Sequence, residues 1–246
     1  MAEAPPVHRE VLPPGATVAA QEKIRRILDA ATTVMGREGY ARTSMKDIAR
    51  EAGIAQGLIH YYFESKESLL LAVMHEMCGQ MLEECRARFG ASTGDPLARG
   101  WAGLEAARTH FVEHPEMLRL MLELLPVCLG NASMQAEMEA MYADIQETTA
   151  EMVRELNGVL PFPMPVPPED FANVIIAALD GLALRTQVDG RFDLDAAFRA
   201  LSFLLLSSMA GSYAAAGQPM PIESLAAAIG VQPSELEPPR VDSEPT

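Results

Sequence analysis

The chain is 246 residues long and 49% apolar, enough for a large buried core in one or two domains. Its three cysteines, Cys78, Cys85 and Cys128, make no even set and show no C-x-x-C spacing, which argues against a disulfide scaffold or a cysteine zinc site. The net charge of −15 excludes a wholly basic nucleic-acid binder, but the charge is unevenly placed.

Residues 21–66 carry eight basic and six acidic side chains, whereas residues 67–246 carry ten and 26. All three lysines, Lys23, Lys46 and Lys66, lie in the first of these segments. A mildly positive head on an acidic body can hold phosphates while the body repels DNA and keeps the molecule oriented.

Residues 1–20 contain Pro5, Pro6, Pro13, Pro14 and Gly15 and read as a disordered arm. They hold one basic residue, Arg9, and no basic-then-apolar leader. The longest apolar run, near 200–216, is interrupted by Ser202, Ser207, Ser208, Gly211 and Ser212. It falls short of the ~20 predominantly apolar residues of a span. A soluble cytoplasmic protein with no membrane partner is the expectation.

A first helix is predicted over 21–38, where Ile24, Ile27, Leu28, Ala31, Val34 and Met35 follow the helical period. Two short helices follow within 44–63, SMKDIAREAGIAQGLIHYYF. Ser44 is a good N-cap, with Asp47 three residues on as a capping box requires. Ile48, Ala49 and Ala52 share one face, and Gly53 suits the left-handed turn that ends a helix. The second short helix, over 55–62, places Ile59 and Phe63 inside at i, i+4. Gln56, Gly57, Leu58, His60 and Tyr61 are left facing out. That division is what a helix-turn-helix needs: one face holds the pair together and the other reads DNA.

The fourth helix starts after Ser65 and runs to about residue 89, with Leu69, Leu70, Val73, Met77, Met81 and Cys85 on its apolar face. Ser92-Thr93-Gly94 breaks it. Asp95 then caps a fifth helix with Pro96 at its first position, carrying Trp101, Leu104, Arg108 and Phe111 and ending before Pro115. A sixth helix over 117–125 should end or kink at Pro126. A long seventh covers 133–157. Prolines 161, 163, 165, 167 and 168 make an extended linker. The eighth and ninth helices, about 169–189 and 194–216, are apolar nearly all round and must be covered nearly all round. The cheapest cover is the same pair from a second copy, a homodimer interface. A turn or two of helix over 222–229 closes the chain. No strand of period two and no repeat is present, so the fold class is all-α.

Beyond the motif, the first helix carries Ile27, Leu28, Ala30 and Ala31 and ends in Gly39-Tyr40, and Phe63-Glu64-Ser65-Lys66-Glu67-Ser68-Leu69 opens the fourth. In this order and spacing, about residues 21–82 resemble the DNA-binding domain of the TetR family of bacterial transcriptional regulators. The resemblance implies an arm (1–20), a helix-turn-helix DNA-binding domain (21–82, motif 44–63), a ligand-binding and dimerisation domain (83–217) and a tail (218–246). Ala177-Ala178-Leu179-Asp180-Gly181-Leu182 resembles the family's usual eighth helix.

By family position, Ser44 and Lys46 approach phosphate, and Gln56 meets an adenine edge in the major groove. Gly57 lets the backbone come close, and Leu58, where the family often has Thr, can touch a thymine methyl. His60 replaces a common Tyr. Tyr61 and Tyr62 are phosphate or sugar contacts, and Lys66 pairs a phosphate beside the N-terminus of the fourth helix. Ala55 lacks the usual Ser cap, and Met35 stands where the family usually has Phe.

His110-Phe111-Val112-Glu113-His114 spells H-x-x-E-H, a zinc-hydrolase pattern, but five residues match often by chance and Pro115 ends the helix at once. The expectation is no enzyme, no metal and no cofactor. The 15 methionines suggest an adaptable apolar wall instead. Met77, Met81, Trp101, Phe111, Met121, Met138 and Met141 are the candidate pocket residues, against the plainer reading that they are core. The function expected is a homodimeric repressor released from a palindromic double-stranded operator by a small molecule of unknown identity. The alternative is a regulator without an effector, or an activator.

Overall fold

The computed structural model describes residues 17–93 and 95–233, so most of the expected arm, Gly94 and the end of the tail lie outside the described residues. Ten α-helices and no strand are present among those described: α1 Val18–Glu38, α2 Met45–Ala52, α3 Gln56–Tyr62, α4 Lys66–Ala91, α5 Pro96–Glu113, α6 Pro115–Leu129, α7 Ala132–Val159, α8 Pro168–Val188, α9 Leu194–Ala215 and α10 Ile222–Ile229.

The helix starts follow local chemistry. Ser44 Oγ accepts from Asp47 N–H at 3.2 Å, and the Asp47 carboxylate accepts from Ser44 N–H at 3.2 Å, a complete capping box. Asp95 accepts from Leu97 and Ala98 N–H at 2.9 and 3.0 Å, with Pro96 opening α5. Gly53, at φ 64°, takes the left-handed turn between α2 and α3. α3 has no side-chain cap at Ala55, in keeping with the missing Ser.

α1 begins three residues before the expected start, and the clearest difference lies in α6. Pro115 opens α6, which continues through Pro126 to Leu129 rather than ending there. Proline removes one N–H, so Leu122 loses one helical donor to its carbonyl. Packing compensates, because Leu120, Leu124 and Cys128 on either side are fully buried.

The core forms two clusters. One runs from the head (Ile24, Ile27, Ile48, Ile59, Phe63) through α4 into α6 and α7. The other gathers Phe89, Leu97, Val153, Leu156, Leu206 and Met209 at the far end of the body. α4 reaches both, so one continuous rod joins head and body. α8 and α9 are long and apolar enough to cross a membrane by length and composition. Here they pack on α7, α5 and each other. Val174, Leu184, Val188 and Leu204 stay exposed on them.

Candidate functional site

The head leaves one face open. Ile59 is fully buried and Phe63 nearly so, which turns Gln56, Gly57, His60 and Tyr61 outward. Tyr61 is 79% exposed and meets Tyr62 edge to face at 5.0 Å between ring centroids, with Tyr62 half-buried against the core. Gln56 Nε2 lies 3.5 Å from His60 Nε2 on the next turn. A Cβ added at Gly57 would meet nothing within 4 Å, so this turn offers bare backbone to whatever docks there. Leu58 is half-buried and Lys46 is exposed. Ser44 is exposed, but its hydroxyl is occupied within the capping box and also meets Asp47 Oδ2 at 2.5 Å. That hydroxyl is the first cause holding the Asp47 carboxyl below its usual range.

Lys66 is more engaged than its sequence position suggests. Its ammonium donates to the carbonyls of Tyr40 and Thr43, each at 3.0 Å, and stands 4.1 Å above the Tyr40 ring. Two of its three donors thus tie the α1–α2 turn to α4, leaving one for a ligand. Tyr40 in turn donates its hydroxyl to Glu67 at 2.7 Å. Burial first, then this carboxylate, pushes the Tyr40 phenol well above its usual range.

The body holds a partly open cavity of about 90 Å³ at the seam between the two core clusters. Its walls come from α4 (Met81, Cys85, Phe89), α5 (Gly100, Gly103), α7 (Ile145, Thr149, Met152), α8 and α9. Thr149 is the single lining side chain with a hydroxyl, and it donates to its own helix at Ile145 O, 2.8 Å away. No charged side chain lines the space. Of the seven residues expected from sequence, Met81 lies on this wall. Met77, Phe111 and Met141 are buried core outside it, Met121 and Trp101 are half-buried, and Met138 lines a separate, open crevice between α7 and α8. The glycine pair was the missed signal. Gly100 and Gly103 cost helix stability, and a Cβ at Gly100 would sit 3.1 Å from Leu206.

The H-x-x-E-H run does not gather a metal site. The His110 and His114 rings lie 4.5 Å apart, but His110 Nδ1 meets Glu84 at 3.2 Å and His114 pairs with Glu116 at 3.4 Å. Among the described residues no group of three or more His, Cys, Asp or Glu could hold a metal ion. The cysteines are buried, and burial pushes Cys78 and Cys85 up to about 12, which keeps them as unreactive thiols.

An all-helical body on a three-helix head with an open recognition face defines the helix-turn-helix class of DNA-binding regulators. Residues 27–73 match the model of the bacterial regulatory proteins of the TetR family, and residues 96–208 match that of the BetI-type transcriptional repressor C-terminal domain. The chain belongs to the TetR family of bacterial transcriptional regulators.

A fatty acid metabolism regulator protein of Bacillus subtilis is 39% identical over 61 residues, 25% of this chain and 31% of the relative. The chain spans about a third of the length of the curated relatives that it matches first. The Bacillus subtilis regulator FadR in complex with stearoyl-CoA superposes with a TM-score of 0.60 at 18% identity, covering 75% of this chain and 98% of that one. A transcriptional regulator of Saccharomonospora viridis in complex with choline gives 0.60 at 22%, covering 74% and 93%.

Proposed function

We propose that this protein is a non-enzymatic, cytoplasmic repressor that leaves a palindromic operator when an apolar ligand enters the body cavity. The lining of that cavity carries the reading. A ligand held there meets methionine, leucine, phenylalanine and glycine, and the one hydroxyl, on Thr149, is already donated to its own helix. Such a wall favours an alkyl or acyl chain and gives no counter-charge to a quaternary ammonium. The stearoyl chain of the one complex fits this chemistry better than the choline of the other, with the charged CoA end left outside the lining.

The present space of about 90 Å³ is smaller than the ~150 Å³ apolar cavity that holds a benzene, so a chain-like ligand must widen it. Met81, Met152 and Met209 on the wall can change rotamer, but a longer ligand must also part the helices. It therefore binds the widened state better, and that difference is the only work it can do on the head.

Two heads read the two halves of the palindrome. Lys46, Gln56, Gly57, Leu58, His60, Tyr61 and Tyr62 make the contact, with Ser44 and the remaining donor of Lys66 at the edge. The copies join through 169–189 and 194–216, where Val174, Leu184 and Leu204 are exposed and a Cβ at Gly181 would meet nothing within 4 Å. The test is titration of the protein on a duplex it selects from a random library, with stearoyl-CoA and choline as probes. Release by stearoyl-CoA and not by choline is expected. Release by choline alone would sink the ligand class, and no response to either would favour a regulator without such an effector.

A further inference from the structure

The far side of the head is held by a device that the DNA face and the cavity do not use. α6 presents Glu116, Arg119 and Glu123, spaced i, i+3, i+7, to the end of α1. Arg119 donates to the carbonyl of Met35 at 3.0 Å and to that of Gly36, two of the carbonyls at the end of α1. Glu123 accepts the backbone N–H of Tyr40 at 2.7 Å, just beyond that end. Gly36 permits the approach: a Cβ there would stand 3.3 Å from the Glu116 side chain.

Tyr40 is therefore gripped from two helices at once. From α4, Lys66 takes its carbonyl and covers its ring, and Glu67 takes its hydroxyl. From α6, Glu123 takes its N–H. α4 carries cavity wall directly, and α6 packs against α4, α5, α7 and α8, all of which carry it.

We propose that Glu123 and Arg119 are positioning residues that make Tyr40 a differential joint, so the head is set by the placement of α6 relative to α4. Movement of α4 alone would then strain the Glu123 contact, and the head follows only when both helices shift. The inference rests on the paired-head reading above, because head placement matters only when two heads must match one duplex.

The test needs no ligand. Full-length protein and its variants are measured on the duplex that the wild type selects and on an unrelated duplex of equal length and salt. Glu123→Ala should lower the ratio of the two affinities about tenfold while leaving the unrelated duplex within about twofold. Glu123→Gln should keep the ratio, since its amide oxygen still accepts from Tyr40 N–H. Gly36→Ala should act in the same direction as Glu123→Ala by wedging α6 away. A ratio unchanged in Glu123→Ala overturns the inference. So does a proportional loss on both duplexes, which marks a merely unfolded head. A wild type that selects no duplex removes the paired-head reading and the inference with it. A second arm adds stearoyl-CoA: Glu123→Ala should bind it as wild type does, yet release operator less. Silence of the wild type in that arm counts against the proposed ligand class alone.

Discussion

In the head, α2 is eight residues long and starts with a side-chain capping box, whereas α8, at 21 residues, starts at Pro168, behind Pro167, with no side-chain cap. Isolated helices as short as α2 and α3 are unstable, so α2 leans on its cap, Gly53 and a fixed apolar face, and the uncapped α3 on that same turn and on buried Ile59. The long body helices are stabilised by burial along their length even where a side chain also caps them, as Asp95 caps α5 and Asn131 caps α7, and their neighbours are left to packing. Ion pairs differ less between the two regions, since most on both are exposed and contribute little. What separates head from body is thus length and packing: helices of seven and eight residues held by a turn and a few buried side chains in one, the summed shape of five long helices in the other.

The sharpest way to break this contrast is Ile59→Ala. Ile59 is fully buried in the head core on α3, which packs against α2, and truncation should cost about 2–5 kcal/mol. The expected result is loss of DNA binding with a separate, early melting of the head, followed by calorimetry. A single transition shifted as a whole would show that the shared core along α4 makes head and body one cooperative unit.

Gly103→Ala probes the body. The added Cβ meets Phe89 Cβ at 3.8 Å and Cys85 O at 3.9 Å, ordinary contacts. It should raise stability by about 1 kcal/mol through helix propensity and narrow the cavity, so that stearoyl-CoA binds more weakly while DNA affinity holds. Stronger probe binding would show that the glycine is not there to leave room.

The smallest effect concerns Asp180, which accepts from the Tyr142 hydroxyl at 3.1 Å on the α7–α8 contact. Burial raises its carboxyl above the usual range. Such a group holds its proton more tightly folded than unfolded. Its contribution is full below the ordinary carboxylate pKa and fades as pH rises through the raised value. Asp180→Asn should therefore melt later than wild type near pH 7, with the advantage shrinking towards about pH 4. An advantage independent of pH would remove titration as the cause.

Much of the molecule was legible before any coordinates. The boundaries of α2 and the start of α5 follow from Ser44, Gly53, Asp95 and Pro96, whose chemistry is local. The open face of α3 followed from two residues, Ile59 and Phe63, at helical spacing. The cavity was not legible, because periodicity gives the inward face of each helix but not the partner it meets. Met77 and Met81 stand one turn apart on α4 with the same pattern, yet one is plain core and the other is wall. Lys66 shows the converse: its charge and position suggest phosphate, but its ammonium reaches two carbonyls whose placement depends on a turn 23 and 26 residues away.

Sequence alone determined that the chain is helical and that Gln56, Gly57, His60 and Tyr61 face outward on α3, since caps, turns and helical spacing act within a few residues; Leu58, expected beside them, is half-buried. Tertiary structure decided where empty space remains and that Tyr40 is held by α4 and α6 together. Voids and joints of this kind are properties of several helices at once, and no stretch of one helix encodes them.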